Sequence, residues 1–327
     1  MNRITHVLLR GLFGLLALLT LLAALLAYFV YTPEPERPQL SGMSSKGALQ
    51  FAGVLRNYRV YVPKGLPRGA PLVLVMHGSG ESPQRIRIGT GYAFERLADQ
   101  HGFAVVYPKS FAFDWNDCSL IGDRQVDGVI ADDAGFLAAL VDKLVVDIGI
   151  DPARVHAAGV SNGGSMAMRL ALEHPARYRA VAAVIANLPA PQNFDCKPVA
   201  QTTSVMIMNG TLDPLVPYGG GEVSLLGLFY KSGQVISSSA SAQYFAARSH
   251  LTGAPQVSRS QAAEGISVEQ SLWRGGDGKT EVELVTIHGG GHGLPQPYAR
   301  RPRLLGPSPM APNGPAMIWA FFERQMR

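Results

Sequence analysis

After residue 50, apolar residues recur in two alternating patterns, as short continuous runs and as longer segments with helical spacing. The short runs predict strands at residues 59–62, 72–76, 104–107, 155–159, 181–185, 205–208 and 282–287. Apolar residues spaced three and four positions apart predict helices at residues 93–100, 132–146, 162–173, 240–249 and 316–325. This alternation predicts an α/β fold, in which helices cover both faces of a mostly parallel sheet.

The first apolar segment differs from the others, because residues 11–31 contain no charged residue. At about 1.5 Å per residue, a helix of this length can cross a hydrocarbon core about 30 Å thick. Two arginines precede the segment, which predicts that the amino-terminus stays cytoplasmic and that the rest of the chain is exported. Three aromatic residues at its end are typical of a membrane interface and favour a retained transmembrane anchor. A signal peptide cleaved after Ala27 is the alternative.

The remaining sequence predicts a simple domain organisation. Residues 1–31 are the anchor or signal segment, and residues 32–47, rich in Pro, Ser and Gly, are interpreted as an extended linker. Residues 48–327 contain no repeat and no linker-like break, so they predict one domain. Its longest irregular stretches follow predicted strands and are expected to form the walls of a site: residues 109–130, 214–234 and 294–315.

Composition excludes several classes of protein. Of the 327 residues, 47% are hydrophobic and 16% are charged, which excludes a disordered or coiled-coil chain. The formal net charge is +5, of which residues 48–327 carry only +3, too little for a domain that follows nucleic-acid phosphates. Two cysteines exclude a multi-cysteine metal site, and the glycine-rich run at residues 78–80 lacks a Walker lysine. We therefore expect no nucleic acid, no cofactor and no metal.

The strongest chemical signal is the sequence GVSNG at residues 159–163, between a predicted strand and a predicted helix. A serine on this sharp turn has strained backbone angles, and the flanking glycines avoid a side-chain clash. The helix that follows directs free N–H groups and its positive end toward the site. We predict that Ser161 is a nucleophile. A purely structural glycine turn is the alternative.

A serine nucleophile needs a base, and the base needs an orienting carboxylate. Asp213 lies in a Gly- and Pro-containing turn just after the strand at residues 205–208, and is predicted to be the acid, with a turn-capping role as the alternative. The sequence HGGGHG at residues 288–293 offers two histidines. We predict His292 as the base, because its glycine-rich loop can reach the nucleophile, whereas His288 is expected to pack or bond locally. No third ligand at metal-site spacing accompanies the two histidines.

The strand at residues 72–76 leads into HGSG at residues 77–80, a flexible turn that can direct backbone N–H groups inward. The N–H of Ser79, together with that of Asn162, is predicted to form an oxyanion hole. Gly80 is the alternative to Ser79. His77 is expected to support this loop by hydrogen bonding.

These motifs resemble those of α/β-hydrolase esterases of the polyhydroxybutyrate depolymerase and feruloyl esterase type. The resemblance extends from about residue 72 to residue 325 and includes the sequences PLVLVMHGSG, DWND, DDAGF, GVSNGGSMAM, NGTLDP, GGGHG and MIWAFFE. It implies an α/β-hydrolase catalytic domain, a triad of Ser161, Asp213 and His292, and an oxyanion hole around Ser79 and Asn162. Trp115 matches a family aromatic beside the site and is expected to contact substrate. Core packing is its alternative role.

The resemblance implies a serine carboxylic-ester hydrolase that acts on a small-molecule or oligomeric ester through an acyl-enzyme. Acyl transfer or peptide hydrolysis would use the same residues, and a non-catalytic envelope binding protein is a further alternative. The protein is expected to be exported and membrane-anchored, facing the periplasm or the cell exterior, or secreted if the segment is cleaved. In that oxidising compartment, Cys118 and Cys196 are expected to form a disulfide, with two free thiols as the alternative.

Overall fold

One large mixed sheet organises the part of the chain that this computed structural model describes, residues 3–122, 124–225, 227–275 and 280–326. Its centre consists of six parallel strands: β3 (Ala70–Met76), β4 (Ala104–Pro108), β7 (Ile150–Val160), β8 (Ala180–Val184), β9 (Ser204–Gly210) and β14 (Glu281–His288). Nearly all of their residues are buried, because both faces of the sheet are covered. Their carboxyl ends therefore meet at one edge, where ligands bind in open α/β sheets.

An antiparallel hairpin extends each side of this parallel centre. At one side β1 (Met43–Phe51) pairs with β2 (Val54–Val62), which pairs with β4. At the other side β12 (Gln256–Ala263) pairs with β13 (Ile266–Arg274), which pairs with β14. The full strand order is β1-β2-β4-β3-β7-β8-β9-β14-β13-β12.

Helices cover both faces of the sheet. One face carries α4 (Asp133–Ile148), α5 (Asn162–Glu173) and α6 (Ser238–Arg248), and the other carries α2 (Pro83–Gly89), α3 (Ala93–His101) and α7 (Gly314–Gln325). Each of the two layers buries its own apolar cluster against the sheet. Two short hairpins lie outside the sheet: β5 (Gln125–Val126) with β6 (Val129–Ile130), and β10 (Gly221–Glu222) with β11 (Gln234–Val235).

The end of α7 fastens the two central strands that precede the predicted acid and base. The Gln325 side chain accepts a hydrogen bond from the Ser204 hydroxyl on β9 (2.8 Å) and donates one to the Glu281 carboxylate on β14 (2.9 Å). Gln325 is buried, so these bonds are shielded from water.

The predicted α/β-hydrolase architecture is confirmed, and α5 has the bounds predicted for it. Asp132 caps the start of α4, since its carboxylate accepts a hydrogen bond from the Gly135 N–H (2.8 Å). The predicted linker is too long, because residues 43–47 form the first half of β1 and extend the sheet. The hairpin of β12 and β13 was not predicted, because every residue of β12 except one is exposed and its sequence lacks an apolar pattern.

Helix α1 (Arg3–Val30) forms most of the anchor or signal segment. Its residues Leu9–Val30 have a mean hydropathy of 2.5 and are long and apolar enough to cross a membrane, and none of the span's most apolar window is buried inside the protein. By length and composition it fits either a membrane anchor or a signal sequence.

Candidate active site

Ser161 lies on a strained turn between β7 and α5. Its backbone angles are φ 57° and ψ −124°, in the left-handed region that non-glycine residues rarely adopt. The turn requires glycine on both sides: a Cβ on Gly163 would lie 2.5 Å from the carbonyl oxygens of Met76 and His77, and one on Gly159 would lie 1.9 Å from the Gly163 oxygen. The close approach of the backbone therefore explains why this turn has the G-x-S-x-G sequence.

A continuous chain of hydrogen-bonding atoms joins the three residues predicted to form the triad. His292 Nε2 lies 3.0 Å from Ser161 Oγ, and His292 Nδ1 lies 2.8 Å from Asp213 Oδ2. The side chains of His292 and Asp213 are only 4% and 2% exposed, so water scarcely competes for these contacts. Asp213 Oδ1 accepts the N–H groups of Leu215 and Val216, both at 2.8 Å, which leaves Oδ2 directed at the imidazole. The arrangement can remove a proton from Ser161 and stabilise the imidazolium that results.

The long stretch at residues 294–315 supports the loop of the base. The His292 N–H donates to the Leu305 oxygen at 2.7 Å, and the Gly291 N–H donates to the Pro307 oxygen at 2.8 Å. On the other side, a Cβ on Gly210 would lie 2.3 Å from the Gly290 oxygen, so the turn after β9 packs directly on this loop. The acid and the base are therefore held at a fixed separation by backbone contacts.

The glycine-rich turn after β3 passes beside the nucleophile, since a Cβ on Gly78 would lie 3.4 Å from Ser161 Cβ. Among the residues that the structure describes, the backbone N–H groups of Ser79 and Asn162 have no protein acceptor. The Gly80 N–H, in contrast, donates to the Phe113 oxygen at 2.8 Å, which removes the alternative donor from the site. Ser79 and Asn162 thus have the free donors that an oxyanion hole needs.

His77 supports this turn from below. Its Nδ1 lies 2.7 Å from the Gly78 oxygen, and its Nε2 accepts the Ser110 N–H at 3.2 Å, which fixes one neutral tautomer. Burial lowers the pKa of His77 to about 4, so the ring stays uncharged at neutral pH. The expected supporting role agrees with these contacts.

The side chain of Asn162 is fixed by the loop that contains the sequence DWND. Asn162 Oδ1 accepts the Trp115 N–H at 2.6 Å, and Asn162 Nδ2 donates to Asp117 Oδ2 at 2.9 Å. Burial, reinforced by the nearby Asp114 carboxylate, raises the pKa of Asp117 to about 6. Asp117 was not predicted as a site residue, although the family sequence DWND contains it.

A disulfide between Cys118 and Cys196 fastens this loop, and the two cysteines are 78 residues apart in the chain. The Asp195 N–H donates to the Cys118 oxygen at 2.7 Å, which adds a backbone bond beside the bridge. The bridge therefore fixes the loop one residue after Asp117, whose carboxylate is hydrogen-bonded to Asn162.

The predicted substrate contact of Trp115 is wrong, because its side chain has no exposed surface. Its indole Nε1–H donates to the His77 oxygen at 2.8 Å, and its ring centroid lies 5.1 Å from that of His77. Trp115 packs beneath the turn that contains Ser79, which agrees with the alternative role of core packing.

A narrow cleft with a volume of about 30 Å³ lies beside Ser161. Tyr230 closes it from the stretch at residues 214–234: Tyr230 Oη lies 2.5 Å from Ser79 Oγ and donates to Asp114 Oδ1 at 3.1 Å. Burial raises the pKa of Tyr230, so its hydroxyl remains protonated. No motif marks this tyrosine, and its contact with Ser79 spans 151 positions. The lining of the cleft includes four polar residues, Asp117, Ser119, Asn187 and Ser232, and four apolar residues, Ile185, Val216, Val223 and Val235.

Comparison with known proteins gives a consistent set of similarities. Residues 56–188 match the family described as "Esterase PHB depolymerase". The chain is 31% identical over 291 residues to a protein of Nocardia uniformis subsp. tsuyamanensis named "Putative esterase NocK", covering 84% of this chain and 81% of the relative. It is 26% identical over 258 residues to the poly(3-hydroxyalkanoate) depolymerase C of Paucimonas lemoignei, covering 72% of this chain and 58% of the relative.

Among solved structures, the acetyl xylan esterase from Aspergillus awamori has the same fold, with a TM-score of 0.52 and 15% sequence identity. The likeness covers 76% of this chain and 94% of that structure.

Proposed function

Because the chain belongs to the esterase family described as Esterase PHB depolymerase and is a carboxylic ester hydrolase, we propose that Ser161, His292 and Asp213 form its catalytic triad. The observation that carries this proposal is the unbroken chain of contacts from Ser161 Oγ through His292 to Asp213, at 3.0 and 2.8 Å. The strained angles of Ser161 add support, since strain of this kind is retained at functional sites. A non-catalytic binding protein would have no use for either feature.

The reaction follows from the positions of these atoms. His292 Nε2 accepts the proton of Ser161 Oγ as this oxygen attacks the ester carbonyl, and Asp213 holds the protonated ring through Nδ1. The N–H groups of Ser79 and Asn162 stabilise the negative oxygen of the tetrahedral intermediate. The alcohol then leaves with the proton from Nε2, which forms an acyl-enzyme. Water repeats the sequence and releases the acid.

The cleft favours a short acyl group. Its volume of about 30 Å³ accommodates the methyl of an acetyl group, whereas an aromatic acyl group requires the loop of Tyr230 to move. Relatives of this chain carry the names acetylxylan esterase, feruloyl esterase and poly(3-hydroxyalkanoate) depolymerase. We propose acetyl or a similarly short group as the preferred acyl part of the substrate.

We further propose that α1 is a retained anchor, that a tether follows it, and that the catalytic domain begins at β1 on the exported side of the membrane. The arginines before the span and the aromatic residues at its end support this orientation. The bridge between Cys118 and Cys196 is the form that cysteines take in an oxidising compartment.

The test compares the full chain in detergent with its Ser161→Ala variant on p-nitrophenyl acetate, butyrate and octanoate, and on methyl ferulate. We expect a loss of about ten-thousandfold in kcat for the variant, and a wild-type preference for acetate. Ser258→Ala, on exposed strand β12, is the matched serine control and should keep full activity. A folded protein that hydrolyses none of these esters and does not react with a fluorophosphonate would refute the proposed triad.

A further inference from the structure

Large apolar side chains are exposed around the mouth of the cleft that contains Ser161. The exposed fraction is 48% for Phe113, 51% for both Leu120 and Ile121, 74% for Leu228 and 61% for Phe229. We call these five residues the apolar rim. Soluble proteins rarely expose contiguous apolar patches, and those that they do expose mark interaction sites.

The rim is one surface, because its two loops are bonded to each other. The Ser232 hydroxyl donates to the Ile121 oxygen at 3.2 Å, and Asn193 connects the same loops by accepting the Ile121 N–H at 3.2 Å and donating to the Ser232 oxygen at 3.3 Å. The ring centroids of Phe113 and Tyr230 are 6.4 Å apart. Since Tyr230 and Ser232 also line the cleft, the rim lies beside the entrance to the nucleophile.

The rim is continuous with the end of the membrane-spanning segment. A cavity of about 800 Å³ lies between α1 and the turn after β3, with Ala23, Leu26, Ala27 and Val30 on one wall and Gly80 on the other. Gly80 also contacts the rim: a Cβ on Gly80 would lie 2.4 Å from the Phe113 ring. The end of the span and the mouth of the cleft therefore lie on the same side of the domain.

Cations surround the same end of α1. The exposed Arg85 and Arg300 line the cavity. The guanidinium of exposed Arg303 lies 4.4 Å from the centroid of the Tyr28 ring and donates to the Tyr28 oxygen at 3.0 Å. Arg301, in contrast, is paired with Glu81 at 2.9 Å. Arginines at the level of interfacial aromatic residues are placed to meet anionic lipid headgroups.

We propose that the apolar rim and these arginines lie on the bilayer that α1 crosses, so that the esterase takes its substrate from the membrane surface. This inference deepens the proposed function and rests on it. The substrate class is an amphiphilic ester, anchored in the bilayer by an apolar tail, with its ester bond in the headgroup layer. The apolar rim, the end of the span and the arginines lie on the same side of the domain. A bilayer offers apolar chains to the first two and headgroups to the arginines, so this surface fits a lipid bilayer better than it fits a protein partner.

The experiment compares two acetates with the same leaving-group chemistry, water-soluble 4-methylumbelliferyl acetate and bilayer-anchored 4-heptadecylumbelliferyl acetate. The full chain is reconstituted in vesicles of phosphatidylcholine, with and without phosphatidylglycerol. The double variant Leu228→Ser/Phe229→Ser removes the two most exposed rim side chains. The matched control is Val146→Ser, which changes an 82% exposed side chain on α4, away from the rim.

We expect the double variant to keep its turnover of the soluble acetate within about twofold and to lose about tenfold on the anchored acetate, while the control changes neither. Wild-type turnover of the anchored acetate should rise with phosphatidylglycerol, and Arg85→Gln/Arg300→Gln should abolish this rise. An equal loss on both acetates, or no loss on either, would overturn the membrane proposal. If the wild type hydrolyses neither acetate, the proposed esterase function itself fails.

Discussion

The two halves of the proposed oxyanion hole are held in different ways. The Asn162 half begins a helix, and its side chain is fixed by Trp115 and Asp117 on a disulfide-linked loop. The Ser79 half lies on a glycine-rich turn, and the contact of its hydroxyl with Tyr230 comes from a surface loop. The first half is set by the fold, whereas the second depends on a loop beside the substrate entrance.

The two halves therefore meet two different needs: a donor that is fixed before the reaction, and an entrance through which the substrate can pass. Donors aimed at the oxyanion stabilise the transition state only if they need no rearrangement, which the buried Asn162 network provides. A cleft of about 30 Å³ must also admit an ester, which requires one wall that can yield. Tyr230 lies in a loop at this entrance, so Ser79 and substrate entry are coupled through the Tyr230 hydroxyl.

The largest effect is expected at the turn that joins Asn162 to Ser161. Gly163→Ala places a Cβ 2.5 Å from two carbonyl oxygens of the strand end at Met76 and His77, so the turn must shift. We expect a loss of more than about a hundredfold in kcat and about 3 kcal/mol in the free energy of unfolding, measured by urea titration. Gly219→Ala is the control, because a Cβ there meets nothing within 4 Å. Normal activity of Gly163→Ala would show that the turn at Ser161 is not tightly packed.

The next largest effect is expected when only the support of the Asn162 half is weakened. Asp117→Asn keeps the shape of the side chain but presents an amide donor to Asn162 or Ser119, so we expect kcat to fall about tenfold with KM unchanged. Wild-type kcat should decrease as the pH falls through about 6, where Asp117 gains a proton. This step should disappear in the variant. An unchanged pH profile would contradict the positioning role of Asp117.

The same variant should also change how the stability of the fold depends on pH. Burial raises the pKa of Asp117 from 3.8 to about 6, so the folded state binds a proton more tightly than the unfolded state. The folded protein therefore loses stability as the pH rises from about 4 to about 6, and Asp117→Asn lacks this loss. The melting temperature of the variant, relative to wild type, should rise between pH 4 and pH 7 in a thermal scan. If the difference in melting temperature between variant and wild type stayed constant over this pH range, ionisation of Asp117 would not destabilise the fold.

A smaller effect is expected when the Ser79 half loses its contact with the loop of Tyr230. Tyr230→Phe removes the hydroxyl that contacts Ser79 Oγ and Asp114, and we expect kcat to fall about fivefold. Tyr218→Phe is the matched control, since it removes a hydroxyl bonded to Thr286 at 2.7 Å and not to Ser79. A loss for Tyr230→Phe as large as that of Asp117→Asn would mean that both halves are equally preorganised.

The smallest effect on turnover should come from opening the bridge. In Cys118→Ser/Cys196→Ser the hydrogen bonds of Asp117 remain, so kcat at room temperature should fall only about twofold. Stability should fall far more, by about 4 kcal/mol, because the bridge closes a loop of 78 positions in the unfolded chain. Urea titration with and without reductant measures this difference, and the variant should not respond to reductant.

The central strands, α5 and the residues of the proposed triad could be predicted because their signals are local. Each buried strand is a continuous apolar run, and the residues that we assign to catalysis occupy glycine-rich turns at strand ends. Strands β1 and β12 lack such a signal, since their residues are largely exposed and polar. They form strands because a neighbouring strand supplies hydrogen-bond partners, and the local sequence pattern gives no sign of that neighbour.

The supports of the oxyanion donors could not be predicted for the same reason. Asp117 contacts Asn162 across 45 positions and Tyr230 contacts Ser79 across 151. The orientation of Trp115 was likewise decided by tertiary packing, because the same aromatic residue in a loop could face either the cleft or the core. Residue type and spacing thus indicated the chemistry, whereas the elements that hold it in place emerged only from the fold.

The position of Gln325 has a consequence for a change made far from the site. This residue bonds Ser204 and Glu281, the first residues of β9 and β14, whereas Asp213 and His292 follow the opposite ends of these strands. The two strands also pair directly, and the turn after β9 packs on the loop of the base. Loss of the Gln325 side chain should therefore lower the stability of the fold and leave the geometry of the proposed triad unchanged.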